Sequence, residues 1–593
     1  MTARPSDPPV AGTRDEHVEA TGAPAGARRR RVPAAVWLLV LAQALLALGW
    51  SQLAPPWRAP DEPQHHDLVR VVRAEPGWVG MQRALSRQIT ATFDPAGFDY
   101  DQVRQLSALS AAEAPQPHAR QPFAQLAVDE PSVADNWLWQ HAPLYYVVTA
   151  GALILGEVLT PGGALSWLGE LAAARAVSAL MIAPLPLLAF AAGRRLGARR
   201  APAVAAAGLT LAVPQLAHIG GAVNNDNLLT LLVSAATLPL VGMATGDGRA
   251  RPALAAGALF GAGLLVKAFA LIGVALIPLA AAVGALRHRR GAVAVGQTVA
   301  GLAAMAVVGG WWLVRNVVVF GTAVPSSYDP PPFEAAQPEL AGWLSVAVPG
   351  YVERFWGSFG WFQAAIPAEV AWAATAGLAG LVVVAVWRRR RARAGLAALA
   401  VAAAPAAALV AGVLTTAWSL HMTYGYYPMI QGRYMLPGLV GVLAIVAVAV
   451  DSPRAHRWWP PAVAVGVLAM VAVATTTALN AFWAGGGRQA LAALWAWSPW
   501  PTWLGVAWLA ALAAVTAGLV GAVIAAAARG PASPPVALST SGGRWAGDRQ
   551  PGGPDGSSAQ PDGPDGSKAQ PDGPDPSDAQ AARGLPQARR RAR

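Results

Sequence analysis

The chain has 593 residues, of which 54% are hydrophobic and only 13% charged, too few charges to cover a soluble protein of this length. Its formal net charge is +12, but the basic residues stand in short clusters between apolar runs. That is the pattern of membrane orientation, and with no basic patch interleaved with stacking aromatics it argues against a nucleic-acid partner. Cysteine is absent, which excludes disulfides, thiolate catalysis and cysteine-ligated metals.

Many windows of about 20 residues are almost purely apolar, long enough to cross a hydrocarbon core, so the chain reads as an all-α polytopic membrane protein. Residues 1–32 form an N-terminal segment rich in Pro, Gly, Ala and charge, expected to be disordered. "RRRR" at 28–31 precedes the first span, 33–54, and places the N-terminus in the cytoplasm. The run "VWLLVLAQALLALGW" is too long for a signal peptide and lacks a small-residue cleavage site, so it reads as a retained span. A long polar loop follows, with stretches 81–92 and 103–113 expected as juxtamembrane surface helices.

The next apolar stretch, 143–158, poses a topology problem. If it crossed, the following span (172–193) would run outward, yet that span ends in "GRRLGARR", a cytoplasmic signature. The conflict disappears if 143–158 lies at the outer interface or re-enters without crossing, and Tyr145, Tyr146 and Glu157 suit that position. The first outer loop then covers 55–171. Spans follow at 201–219, 228–244, 252–266, 268–286 and 292–313, then a second large outer loop at 314–365. Further spans at 366–387, 396–418, 435–450, 460–482 and 501–528 bring the total to about twelve, with both termini cytoplasmic. The tail, 529–593, repeats "PDGPDGSKAQ"-like units with a ten-residue period and is expected to be disordered.

This topology sorts the polar residues. Inner-side charges are almost all Arg, whereas mixed polar clusters fall at the outer ends of spans. They are Asp61, Glu62, His65 and His66; Asn224 to Asn227, with Asn225 and Asp226; Lys267; Arg315 and Asn316; and Gln431, Arg433 and Tyr434 behind Tyr424, Tyr426 and Tyr427. Each has a plainer reading. Asp61 and Glu62 suit a solvated loop start or a helix cap, and Asn224–Asn227 suit a turn. Arg315 suits an interfacial anchor behind Trp311 and Trp312, and His218 a packed histidine. Lys267 is harder to dismiss, because it alone breaks "ALFGAGLLVKAFALIGVALIPL" and a charge at membrane level usually has a partner or a function, unless it snorkels.

Several motifs, taken in order, resemble those of the GT-C glycosyltransferases, membrane enzymes that take sugars from polyprenyl-phosphate donors. "PDEPQHH" (60–66) resembles their first-loop acidic motif, and "HAPLYY" (141–146) the start of their juxtamembrane helix, with Ala142 in place of a Pro. "NNDN" (224–227) resembles an acidic second outer loop and "LLVKAFAL" (264–271) their hairpin lysine. "WWLVRNVVVFG" (311–321) and "QGRYMLP" (431–437) resemble signatures of a bacterial predicted-membrane-protein family grouped with these enzymes but without an assigned reaction. The resemblance covers about residues 33–450. It implies a GT-C-like domain over 33–528, in a bacterial-type plasma membrane. It also implies an extracytoplasmic site that transfers sugar from a polyprenyl-phosphate donor to a cell-envelope glycan, lipid or protein. Asp61 would then be the base or a metal-orienting carboxylate, with Glu62 supporting it as the second catalytic acid. Donor and acceptor would meet His65 or His66, His141, Asn225, Asp226, Lys267, Arg315, Asn316, Gln431, Arg433 and Tyr434. Asp61 and Asp226 can also share a divalent cation (magnesium, manganese or calcium), since all three take oxygen ligands. Two rival readings remain: a transporter or flippase for lipid-linked saccharides, and a non-catalytic protein that keeps the fold. A transporter would carry its charges near mid-membrane on broken helices.

Overall fold

The computed structural model describes residues 32–75, 83–103, 105–126, 135–159, 164–288, 291–326, 339–452 and 457–528. The N-terminal segment before Val32 and the repeat tail after Ala528 lie outside the described residues. The described chain is almost wholly helical. Its first helix, α1 (Ala34–Leu53), is followed by α2 (Glu62–Ala74), α3 (Arg87–Thr90) and α4 (Leu144–Leu159). Then come α5 (Trp167–Ile182), α6 (Leu185–Arg195), α7 (Arg200–Gly208), α8 (Pro214–Gly220), α9 (Asp226–Ala244) and α10 (Ala250–Leu264). α11 (Gly273–His288), α12 (Gly291–Met305), α13 (Trp311–Phe320), α14 (Leu340–Trp356), α15 (Ala368–Arg389) and α16 (Arg393–Tyr424) continue the bundle. It closes with α17 (Leu439–Ala449), α18 (Trp459–Phe482), α19 (Gly487–Trp497) and α20 (Thr502–Ala528). The described strands are the antiparallel pair β1 (Ser358–Phe359) and β2 (Ala364–Ala365).

Among the described residues, ten helices are long and apolar enough to cross a membrane, or eleven if α7 and α8, bent by 64°, count as one broken span. The expected twelfth is α10, whose 15 residues end at Leu264, short of Lys267. α5 and α6 together make one span, Trp167–Arg195. α4 is a separate 16-residue helix, shorter than the spans around it. The second large loop is partly helical: α13 runs on to Phe320, and α14 occupies much of the remainder. Residues 327–338 of that loop lie outside the described residues.

Close helix contacts depend on small residues. A Cβ on Gly257 of α10 would stand 2.0 Å from the Gly301 carbonyl of α12, and one on Gly309 would stand 2.0 Å from the Gly261 carbonyl. Two backbones therefore touch along this seam, as small residues allow in lipid. Residues Ala306–Gly310 form one π-helical turn between α12 and α13, which seats Gly309 opposite Gly261.

The first loop departs most from the expectation of a polar surface. α2 opens with Glu62 and Pro63 in its first turn and ends with Arg73 in its last, an arrangement that suits the helix dipole. Ten of its thirteen residues are buried, although the sequence is polar. The polar groups have partners: Asp67 accepts from the Ser86 amide at 3.1 Å and from Asn136 at 2.9 Å. Arg58, fully buried, donates to the carbonyls of Ser107 and Gly97. Of the expected surface helices, only Arg87–Thr90 is regular within the described part of 81–92. Instead of a helix over 103–113, Leu109 exchanges backbone hydrogen bonds with Phe482 and Ala484, extended beside the end of α18.

Candidate functional site

Four charged side chains meet at helix ends. Asp61 precedes α2, Asp226 is the first residue of α9, Lys267 follows α10, and Arg433 lies just beyond α16. The Asp61 carboxylate lies 2.5 Å from the Arg433 guanidinium. Asp226 lies 2.7 Å from the Lys267 amine and 3.4 Å from Arg433 Nε. The charges therefore alternate along the row Asp61, Arg433, Asp226, Lys267. Asp226, Arg433 and Lys267 are buried, and the Asp61 side chain keeps 16% of its surface exposed, making it the open end of the row. Tyr434 places its ring 4.5 Å from the Lys267 amine and 5.4 Å from the Arg433 guanidinium.

Lys267 therefore points inward to a carboxylate, and the snorkelling alternative does not describe it. Arg433 retains unused capacity: its Nε and Nη1 have no hydrogen-bond partner among the described residues. Both side-chain atoms of Asn225, fully buried beside Asp226, are likewise unpartnered, as is Gln431 Oε1. Buried donors and acceptors without partners are uncommon, and these three residues adjoin the charged row in sequence or belong to it.

Left-handed backbone occurs in the segments that carry Asp61 and Arg433. Asp61 adopts φ 60° and Trp57 φ 63°. Phe362 (φ 69°) lies in the β1–β2 turn, where the neighbouring Trp361 donates to the Trp57 carbonyl. Met429 (φ 56°) lies four residues before Arg433. Left-handed backbone at non-glycine residues persists only where the surroundings dictate it, and it clusters at functional sites.

The two adjacent histidines diverge because successive helical residues point about 100° apart. The His65 ring stacks on Tyr146, with Nδ1 3.1 Å from the Tyr146 hydroxyl. Burial pushes its imidazole well below its ordinary value, and His141, Lys267 and Arg433 add to the effect. His141 is pushed down to about 3, by burial first and by Lys267 next, against Asp226. Both rings are therefore neutral near pH 7 and belong to this site. His66 turns to the other side, where its Nε2 lies 3.3 Å from Glu170 in a network with Arg70, Arg73 and Glu157. The expectation of a substrate contact at His66 is corrected accordingly.

Three further expectations change. Glu62 does not join the row, because its oxygens accept from Arg175 and from the Val223 amide. Arg315 and Asn316 are tied to α13: the guanidinium lies over Trp312 and Phe320 and donates to Asn316, which donates to the Ala323 carbonyl. Asp61 and Asp226, expected to share a divalent cation, each face a side-chain cation in this structure. Both are already neutralised by Arg433 and Lys267, and among the described residues no three His, Cys, Asp or Glu side chains gather to hold an ion. A hard divalent cation needs six or more oxygens. The turn reading of "NNDN" holds in part: Asn224 accepts from the Asp226 amide, and Asn227 donates to the carbonyls of Ile219, Ala222 and Asn224.

Sequence reasoning missed Arg175 and Tyr146. Arg175 is a lone charge inside "LAAARAVSAL", the same signal that singled out Lys267.

Among solved structures, the chain is similar to two members of the GT-C superfamily. One is ArnT from Cupriavidus metallidurans bound to undecaprenyl phosphate, at 17% identity and a TM-score of 0.44, over 84% of this chain and 74% of that one. The other is the oligosaccharyltransferase of Archaeoglobus fulgidus in the apo form, at 13% identity and a TM-score of 0.38, over 78% of this chain and 56% of that one. No curated protein matches it in sequence. Residues 44–443, more than half of the chain, match the DUF2142 family, and the chain belongs to that family of predicted membrane proteins.

Proposed function

We propose that this protein is a membrane glycosyltransferase that moves a sugar from a polyprenyl-phosphate donor to a cell-envelope acceptor on the extracytoplasmic side. The observation that carries the reading is the buried Arg433, ion-paired with Asp61 and Asp226 yet holding Nη1 without a hydrogen-bond partner. A cation with donors to spare in a water-poor setting is suited to an anionic group such as a phosphate. Its position at helix ends, next to lipid-facing helices, lets the polyprenyl chain remain in the membrane.

In this reading the donor phosphate takes up the free donors of Arg433, with Lys267 as a second cation. The bond from the anomeric carbon to the phosphate oxygen breaks, and the electron pair leaves with the phosphate, where Arg433 and Lys267 meet the growing charge. The acceptor hydroxyl oxygen bonds to the same carbon, and its proton passes to Asp61. A carboxylate is an ordinary weak base. A weak base suffices when the carbon is already cation-like, because the hydroxyl becomes acidic only as it bonds. His65, buried and held by Tyr146, would offer its second ring nitrogen as a hydrogen bond to donor or acceptor. No step runs through a metal. The clustering of charge at helix ends, not part-way along broken helices, favours transfer over transport.

The test is transfer by the purified protein in nanodiscs, with a panel of radiolabelled polyprenyl-phosphate sugars and envelope acceptors. Label should move to an acceptor with the native chain and not with Arg433→Ala. Movement of intact labelled lipid between leaflets with no product would instead identify a flippase.

A further inference from the structure

The loops that carry Asp61 and Asp226 are far apart in sequence, and one buried ion pair joins them. All five N–H donors of Arg175 are used. Nη1 donates to the carbonyls of Ser51 (2.7 Å) and Ala54 (2.8 Å), and Nη2 to that of Pro55 (2.9 Å) and to Glu62 Oε2 (2.6 Å). Nε donates to Glu62 Oε1 at 2.8 Å. The guanidinium thus caps the carbonyl end of α1 and grips Glu62 with both arms of its fork. Glu62 Oε1 also accepts the Val223 amide at 3.0 Å. Beside this contact Asn224 Nδ2 reaches the Pro60 carbonyl at 3.4 Å, and Asn224 Oδ1 accepts the Asp226 amide at 2.9 Å. Each contact lies within three residues of one of the two acids.

We propose that Glu62 and Arg175 form a positioning clamp that fixes the Asp61 and Asp226 carboxylates at one spacing and holds Asp61 in its left-handed backbone. In the reaction the clamp acts only through Asp61 and Asp226, and to that extent it rests on the transferase reading above. The chemistry requires a carboxylate and a guanidinium. Glu62 must offer three acceptor sites, two to Arg175 and one to Val223, and the amide of Gln would turn an NH2 toward one of the Arg175 donors. Lys at 175 has three donors where five are used.

Hydrogen exchange of the native chain, Glu62→Gln and Arg175→Lys in nanodiscs tests the clamp without any substrate. Exchange should quicken in peptides spanning 55–62 and 219–228 and stay at the native rate across α17. Native-rate exchange at 219–228 in Glu62→Gln overturns the proposal. So does a rise that includes α17, which would make the pair a general support of the fold. In the transfer assay, misplacement of the acids should lower kcat by about 10²-fold with KM little changed. Both limbs of the pH profile should stay in place, because a positioning group is not the titrating base. Loss of a limb in Glu62→Gln would make Glu62 the base and overturn its positioning role. If the native chain transfers nothing while exchange quickens at the two loops alone, the clamp stands and the transferase reading falls.

Discussion

The Arg433 guanidinium lies 2.5 Å from the Asp61 carboxylate across 372 residues of sequence. This contact closes the row of charges by joining the chain after α1 to the chain after α16. Asp61→Asn keeps shape and hydrogen bonding but removes charge and proton affinity. Its kcat should fall by about 10²–10⁴-fold, the usual contribution of a general base, with donor affinity less affected. Undiminished transfer by this variant would remove Asp61 from the mechanism.

Lys267→Met keeps length and apolar stem while deleting the amine that lies 2.7 Å from Asp226. A charged hydrogen bond contributes about 1.5–3 kcal/mol, so binding of a polyprenyl phosphate should weaken roughly 10- to 100-fold. Arg433, 3.4 Å from Asp226, still opposes that carboxylate, which should keep the fold intact. Equilibrium binding of a radiolabelled polyprenyl phosphate measures the effect, with circular dichroism as the control. Native affinity would take Lys267 out of the phosphate site.

Much of this row was legible in the sequence because charge is costly in a membrane. Asp61, Asp226, Lys267 and Arg433 each interrupt or border an apolar run, and alternating topology places all four at one end of the bundle. What the sequence withheld was direction and pairing. Glu62 and Asp61 are neighbours, yet one grips Arg175 and the other Arg433. His65 and His66 differ by one helical step, and only the structure shows which faces Tyr146. A helix capped by Asp61 suited a surface position in the sequence, whereas α2 is buried, its polar groups meeting Glu170, Asn136 and Tyr146. α10 fell below span length because its run ends in a tight turn before Lys267, a geometry that hydropathy does not record.

His65 and His141 make stability sensitive to acid. Their folded values are depressed, His141 to about 3, whereas an unfolded histidine titrates near about 6.5. Between these values the unfolded chain binds protons that the folded chain does not. Their contribution is present above about pH 6.5 and is lost as pH falls toward about 3. The melting temperature in detergent should therefore drop between about pH 7 and about pH 4.5, and His141→Gln should drop less than the native chain. An equal drop in both would show that His141 is not held neutral in the folded chain.

The pairing of Asp61 with Arg433 and of Asp226 with Lys267 also bears on metals. With both acids neutralised by side chains, transfer should survive exhaustive chelation, and added magnesium, manganese or calcium should change kcat by less than about 2-fold, against the several kcal/mol that a Lewis acid supplies. A loss on chelation that one ion restores would mean that a cation displaces Arg433 or Lys267 from its carboxylate during turnover.

Orientation can be tested at α4. Its 16 residues pack on α2 and α5, with Tyr145 and Tyr146 buried while Val147, Val148, Ile154, Leu155 and Val158 are exposed. Arg73 pairs with Glu157 at 2.5 Å and ties the far end of α4 to α2. A helix with one lipid-ready face and ion pairs to a loop helix suits the interface, which is the placement to test. If it does not cross, the chain on both sides of it lies on one face, and "GRRLGARR" at the end of α6 falls in the cytoplasm, as its charge requires. A reporter inserted near residue 165 should read extracytoplasmic, as should one near residue 100. A cytoplasmic signal near residue 165 would make α4 a span, reverse every connection after it, and put Asp226 and Lys267 on the opposite side from Asp61. Their joint contact with Arg433 forbids that arrangement, so such a result would overturn the site together with the topology.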